Sequence, residues 1–189
     1  MNKSLLRSLT NNTQKGMTFI EVLVALVIMV TGILGAVAMQ VTAKQGSFDA
    51  MQRSIASSLA QDIIARIRAN DANNLAAYAT NGIEDYGVTL NPLPAITCNG
   101  INAQCTPAQM VTNDIFEWER ALVGADVTSG VQNSGGLING RGCVLRTGNA
   151  LTVVVSWQGR NEMTDSQKSD GCGAAGKKRR QVVVQAFII

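Results

Sequence analysis

Four groups of side chains carry whatever chemistry this 189-residue chain can do. Glu21 is a lone carboxylate inside a long apolar stretch, and Asp114, Glu117 and Glu119 form the one carboxylate cluster beyond residue 70. Cys98, Cys105, Cys143 and Cys172 are the thiols, and Lys177-Lys178-Arg179-Arg180 is the one basic run. Histidine is absent, which removes Ser-His-Asp and Cys-His nucleophile systems and every His-ligated metal site. A catalytic carboxylate pair needs a cleft, and the helical spacing of Asp114, Glu117 and Glu119 reads instead as a solvated helix face. The thiols lack a Cys-x-x-Cys pair, so disulfides are expected and a metal site is not. The expectation is therefore no enzyme, no cofactor and no metal.

The elements that must position these groups begin with a basic leader. Residues 1 to 16 hold Lys3, Arg7 and Lys15 and no acid, so they account for the whole formal charge of +3. From Val22 to Ala43 run 22 uncharged, mostly apolar residues, about 33 Å of helix against a hydrocarbon core of about 30 Å. Three readings fit: a secretory signal cut after Ala36-Val37-Ala38, an uncleaved signal anchor, or processing ahead of the apolar run that leaves the span on the mature chain. Each keeps the positive flank cytoplasmic and sends the rest outward, into an oxidising compartment where paired cysteines are expected. Glu21 favours the third reading. A carboxylate inside a span costs about 2.5–3.5 kcal/mol at the bilayer centre, less near an end, and marks function. In a chain beginning at Met17, Glu21 lies one helical turn from a new α-amino group that can neutralise it.

The string Gly16-Met17-Thr18-Phe19-Ile20-Glu21-Val22-Leu23-Val24-Ala25-Leu26, behind its basic leader, resembles the processing site of type IV pilins and type II secretion pseudopilins. The resemblance implies cleavage between Gly16 and Met17 by a prepilin peptidase, N-methylation of Met17, and a role for Glu21 in subunit docking. Met17 replaces the phenylalanine most common there, and Ala38 stands near the family's frequent helix proline.

No proline occurs before Pro92, so nothing forces a break in a helix from Met17 to Ala69, about 80 Å long. Past the apolar half, Phe48, Met51, Ile55, Leu59, Ile63 and Ile67 recur at three and four residues as one stripe. Asp49–Arg53 and Asp62–Arg66 are i,i+4 pairs expected on wetter faces, and Arg66 and Arg68 read as solvated. Asn70 to Asn74 ends the pattern. Residues 71 to 105 show little periodicity. Cys98 and Cys105, with six residues between them, read as a local disulfide worth about 2–3 kcal/mol. Thr106-Pro107-Ala108-Gln109 predicts a capped helix start, Val111, Ile115, Trp118 and Leu122 its buried stripe, and Gly124 its end. Thr128 to Gly142 reads as a loop. Cys143–Thr147 and Ala150–Trp157 predict a β-hairpin on a Gly148-Asn149 turn, and Gln181–Phe187 a third strand. Cys172, in the polar insertion 159–176, is paired with Cys143. The basic run reads either as a contact for DNA or anionic headgroups, or as a solvated strand entry that discourages edge pairing. No aromatic residue interleaves it.

The fold class is α+β: a long N-terminal helix packed on a small antiparallel sheet. The Arg66-Ile67-Arg68-Ala69-Asn70 helix end, the Thr106-Pro107 helix with its tryptophan, the Gly-rich loop and the Trp-ending strand extend the resemblance to PilV-type minor pilins. That resemblance implies a type IV pilin fold with a cleaved leader (1–16), a transmembrane helix half (17–43), an amphipathic half (44–70) and a periplasmic head (71–189). It further implies a single-pass inner-membrane protein, N-terminus cytoplasmic, that primes, caps or enters the extracellular pilus (fimbrium) and supports adhesion and twitching motility. Its implied partners are other minor pilins, the major pilin, the prepilin peptidase and the inner-membrane assembly platform. A minor pseudopilin of type II secretion and a pilus-borne DNA receptor are the rival readings.

Overall fold

The computed structural model describes residues 16–79, 84–101, 103–164 and 171–189. The chain divides into two compact units, Met1–Ala43 and Lys44–Ile189. The leader residues Lys3, Arg7 and Lys15 lie outside the described residues.

A single helix, α1 (Phe19–Ala69), runs through 51 residues without a proline. Within the first unit its side chains are exposed throughout. Within the second, one face is buried, and that face is rotated from the expected stripe. Gln52, Ala56, Ala60, Ile63, Ile64 and Ile67 are buried, Ile55 and Leu59 are only partly covered, and Met51 is 50% exposed. Ala56 and Ala60 have almost no side chain to displace, so neighbouring elements close over the helix there. Gln52 is tolerated inside because its Oε1 accepts the Ile138 N–H at 3.1 Å. The expected Asp49–Arg53 pair is not among the ion pairs of the described residues; Asp49 accepts the Arg160 N–H instead.

A 3₁₀ turn (Ala72–Asn74), N-capped by Asp71, leads into the short α2 (Leu75–Tyr78). Strand β1 (Glu84–Tyr86) follows, in a stretch whose sequence shows no strand periodicity. Helix α3 (Pro107–Val123) starts as the sequence predicts: Gln109 N–H donates to the Thr106 hydroxyl, Thr106 N–H to the Gln109 side chain, and Pro107 opens the first turn. It ends at Gly124, whose φ of 67° suits a residue without Cβ.

Residues 128–142, expected as loop, contain a two-stranded hairpin, β2 (Thr128–Ser129) with β3 (Gln132–Asn133), and the first two residues of the next strand. β4 (Arg141–Thr147) and β5 (Ala150–Gln158) pair from Thr147↔Ala150 to Arg141↔Ser156 around Gly148-Asn149. β6 (Arg179–Phe187) pairs along the whole of β5, from Ala150↔Phe187 to Gln158↔Arg179. The sheet is antiparallel, in the order β1-β4-β5-β6. Alternation along β5 sends Leu151, Val153, Val155 and Trp157 into the main core with Ile63, Ile67, Tyr78, Trp118 and Leu122. Val154 faces the other way, onto the Cys143–Cys172 pair. At Gly142 of β4 the sheet touches α3 so closely that a Cβ would lie 2.3 Å from Trp118 Cη2.

Candidate functional site

Residues 16–43 form the first site. Gly16, Met17 and Thr18 precede the helix and are exposed, so the Gly16–Met17 bond lies in non-helical chain. Glu21 occupies the first turn of α1, where the helix dipole favours a negative charge. Of the other polar side chains, Thr31 donates to the carbonyls of Val27 and Ile28, and Thr42 to that of Ala38. Those hydroxyls are satisfied inside the helix, as a low-dielectric setting requires. The helix is long and apolar enough to cross a membrane, and none of its most apolar 18-residue window is buried. Gly32 and Gly35 have open space where a Cβ would stand, so they are not packing points within this chain.

The carboxylate cluster of α3 is not a solvated face, contrary to the sequence reading. Asp114 is 5% exposed and Glu119 2%, and Glu117 is half-buried. Asp114 Oδ2 accepts the Tyr78 hydroxyl at 2.5 Å, and Asp114 Oδ1 lies 3.2 Å from Arg66 Nη1. The same Arg66 nitrogen reaches Glu117 Oε2 at 2.7 Å, while Arg66 Nε reaches Asp62 at 2.9 Å. Arg66 therefore bridges α1 and α3 and is not a free surface cation; Arg68 is exposed as expected. Burial by itself lowers the Arg66 pKa, but the bonds to Glu117, Asp62 and Asp114 outweigh it and hold the guanidinium charged. Burial pushes the Tyr78 hydroxyl up, Asn70 lowers it by donating to its oxygen, and Asp114 raises it further. Glu119 serves a separate segment, where its oxygens accept Gly87 N–H, Asn91 N–H and Asn91 Nδ2 at 3.3, 2.9 and 2.8 Å. These carboxylates bind protein donors, and none is presented to a cleft.

Cys98 is joined to Cys105 and Cys143 to Cys172, with Cα atoms 5.9 and 5.8 Å apart. Cys98 N–H also donates to the buried Asn113 side chain, which fixes the small loop on α3. The second bridge ties the 159–176 insertion to β4.

The basic run is divided by the fold. Lys177 and Lys178 are exposed, whereas Arg179 is buried and donates to the carbonyls of Cys172 and Gly173. Arg180 is half-buried and donates to the carbonyls of Asn161, Lys177 and Arg179. Two of the four candidate anion contacts thus serve the backbone. Among the described residues no group of His, Cys, Asp or Glu could hold a metal ion.

Sequence reasoning missed Tyr78, Arg66 and Asn70 as a network with Asp114. One signal was present: Asp114 lies three residues after Val111 and four before Trp118, which is the buried stripe itself, and Glu119 sits four after Ile115. For Tyr78, in a stretch without periodicity, the sequence carries no such signal.

Residues 11–37 match the family model described as the prokaryotic N-terminal methylation motif, and residues 38–116 match the model described as type IV pilin Tt1218. The chain matches no curated protein and no solved structure.

Proposed function

We infer that this chain, which two adjoining family matches support as a type IV pilin subunit, is a minor pilin of the PilV type. The observation that carries the reading is the first unit: a helix segment exposed on every side, apolar from Val22 to Ala43, with Glu21 as its one charge. Such a segment needs either lipid or like helices around it. The prepilin peptidase cuts between Gly16 and Met17, and the new α-amino group, N-methylated, comes four residues before Glu21. Pairing of that ammonium with Glu21, in the same chain or a neighbour, offsets the cost of a lone carboxylate near the end of the span, which is below the about 2.5–3.5 kcal/mol of the bilayer centre. The head stands in the periplasm, where both disulfides form, and the subunit is structural rather than catalytic. It primes or caps pilus assembly together with other minor pilins, the major pilin and the inner-membrane platform, and so supports adhesion and twitching motility.

Mass spectrometry of the membrane-extracted protein tests the processing. A mature start at N-methyl-Met17 is expected; a start at Met39 makes it a secreted soluble domain, and an intact Met1 an ordinary signal anchor. Affinity purification from cross-linked membranes tests the assembly: pilus components should be recovered, whereas recovery of type II secretion components alone assigns the chain to the pseudopilins. The DNA-receptor reading has lost ground, because Arg179 and Arg180 are engaged with carbonyls and only Lys177 and Lys178 of the run are exposed.

A further inference from the structure

β6 is the outer strand of the four-stranded sheet, and among the described residues no strand pairs with its far side. Soluble proteins usually protect such an edge by shortness, proline, a bulge or an inward-pointing charge. β6 pairs with β5 at nine consecutive positions, and from Gln181 to Ile189 the chain has no charged side chain, no proline and no glycine. Val183 is 43% exposed, and Gln185 and Phe187 are exposed on the same face. Among the described residues the charged device that guards this edge is the basic group at the strand's entry, Lys177, Lys178 and Arg180.

The sequence of the edge is a palindrome, Gln181-Val182-Val183-Val184-Gln185. We propose that β6 is a self-recognition edge: a second copy of this chain pairs with it antiparallel about Val183, joining two four-stranded sheets into one. In that register Val183 faces Val183 of the second copy, Val182 faces Val184, and Gln181 faces Gln185. Like side chains meet on both faces, and the Gln181 side chain can keep its bond to the Cys172 carbonyl. Charge selects this direction of pairing. Arg180 falls opposite Ala186, so the two basic entries lie six residues apart, about 20 Å at about 3.3 Å per residue. That is about two and a half times the screening length of about 8 Å at physiological salt. Parallel in-register pairing would set Arg180 directly on Arg180. The basic entry that discourages other strands thus leaves the antiparallel self-pair open. The partner is a second copy rather than an unrelated strand, because in the antiparallel direction this palindrome sets like against like across all five residues in one register only.

The test uses the full-length protein in its own membrane. Val183→Cys places two thiols at opposed positions, where cross-strand Cα atoms lie about 4.5–5.5 Å apart and a disulfide can close. A reducible dimer is expected, roughly tenfold above that of Gln185→Cys, whose counterpart is four residues away at about 13 Å. Comparable dimer from both variants would mean another register or a parallel pair, and cross-linking of Val183→Cys to a different polypeptide would mean another occupant; either overturns the proposal. Where the cysteine variant is poorly made, light scattering in detergent decides: the unaltered protein should have the mass of two chains and Val183→Lys that of one, with both native disulfides retained. Equal masses for the two overturn it.

Discussion

Truncating Glu119 tests whether a buried carboxylate, and not a hydrophobic contact, holds the 87–91 segment on α3. Glu119 is 2% exposed and accepts three hydrogen bonds from that segment. Glu119→Ala removes all three and leaves the Gly87 and Asn91 donors without an acceptor. Bonds to a charged group contribute about 1.5–3 kcal/mol each, but they are not additive, and water entering the gap recovers part of the loss. A net cost of about 3–5 kcal/mol follows. Glu119→Gln keeps one oxygen, which will turn to the two donors of Asn91 and set its NH₂ against Gly87 N–H, for about 1–2 kcal/mol. At about 2–4 °C per kcal/mol, the alanine variant should melt about 10 °C lower and the glutamine variant about 4 °C lower. Hydrogen exchange of the full-length protein in detergent should show the Asn91 amide losing about a hundredfold protection in Glu119→Ala while the β4–β5 amides lose less. A solvated glutamate would change stability by less than about 0.5 kcal/mol in both variants. Indistinguishable melting of the three proteins, or unchanged Asn91 exchange, would refute the reasoning.

Three further outcomes follow from the same structure. The raised pKa of Tyr78 means its contribution is complete below about pH 10, the unfolded value, and is lost as pH rises toward the folded one; Tyr78→Phe should cost about 1–3 kcal/mol at pH 7, by loss of the bond to Asp114, with the difference from the unaltered protein shrinking above pH 10 in denaturant titrations. A gap of the same size at pH 7 and pH 11 would contradict the placement of that hydroxyl. Gly142→Ala drives a Cβ to 2.3 Å from Trp118 Cη2 and 2.8 Å from Leu122 Cδ1, so a loss of about 1–3 kcal/mol or more and altered tryptophan fluorescence are expected, whereas Gly46→Ala, exposed in α1 with open space at its Cβ, should disturb neither the fluorescence nor the core. Replacing Cys98 and Cys105 together by serine should lower stability by about 2–3 kcal/mol and raise exchange at the N-terminus of α3, leaving the β4–β5–β6 amides protected.

Local rules were readable where a residue's partner lies a few positions away. The Thr106–Gln109 capping box, the Gly124 stop and the two-residue turn at Gly148-Asn149 depend on contacts within one turn, and the sequence states them completely. The helix from Phe19 to Ala69 was equally legible, since it rests on an uninterrupted pattern without proline. Two things were not. β1 has three residues, Glu84-Asp85-Tyr86, and is a strand because β4 offers it an edge; too few positions exist for a period to show. The buried acids of α3 look solvated in sequence because their partners, Arg66, Tyr78 and Asn91, come from other elements. The buried face of α1 was misjudged for a related reason: alanines weigh little on a hydropathy scale, yet Ala56 and Ala60 are fully buried. The basic run failed as a unit for a geometric reason, since strand alternation from Arg179 onward sends successive side chains to opposite faces.

The glycines behind the β2–β3 hairpin give the head a natural attachment point. A Cβ on Gly136 would lie 2.2 Å from Gly124 N, so the chain leaving α3 and the chain returning to the sheet cross backbone on backbone. Leu137 N–H closes that crossing on the Leu122 carbonyl at 2.9 Å, and Ser134 N–H on the Val127 carbonyl at 2.7 Å. Everything beyond the crossing is a small closed loop whose tip, Gly130-Val131, has open space around it. A peptide tag or fluorophore spliced between Gly130 and Val131 would therefore be insulated from the core, and would label the head without disturbing the packing of α3 on the sheet.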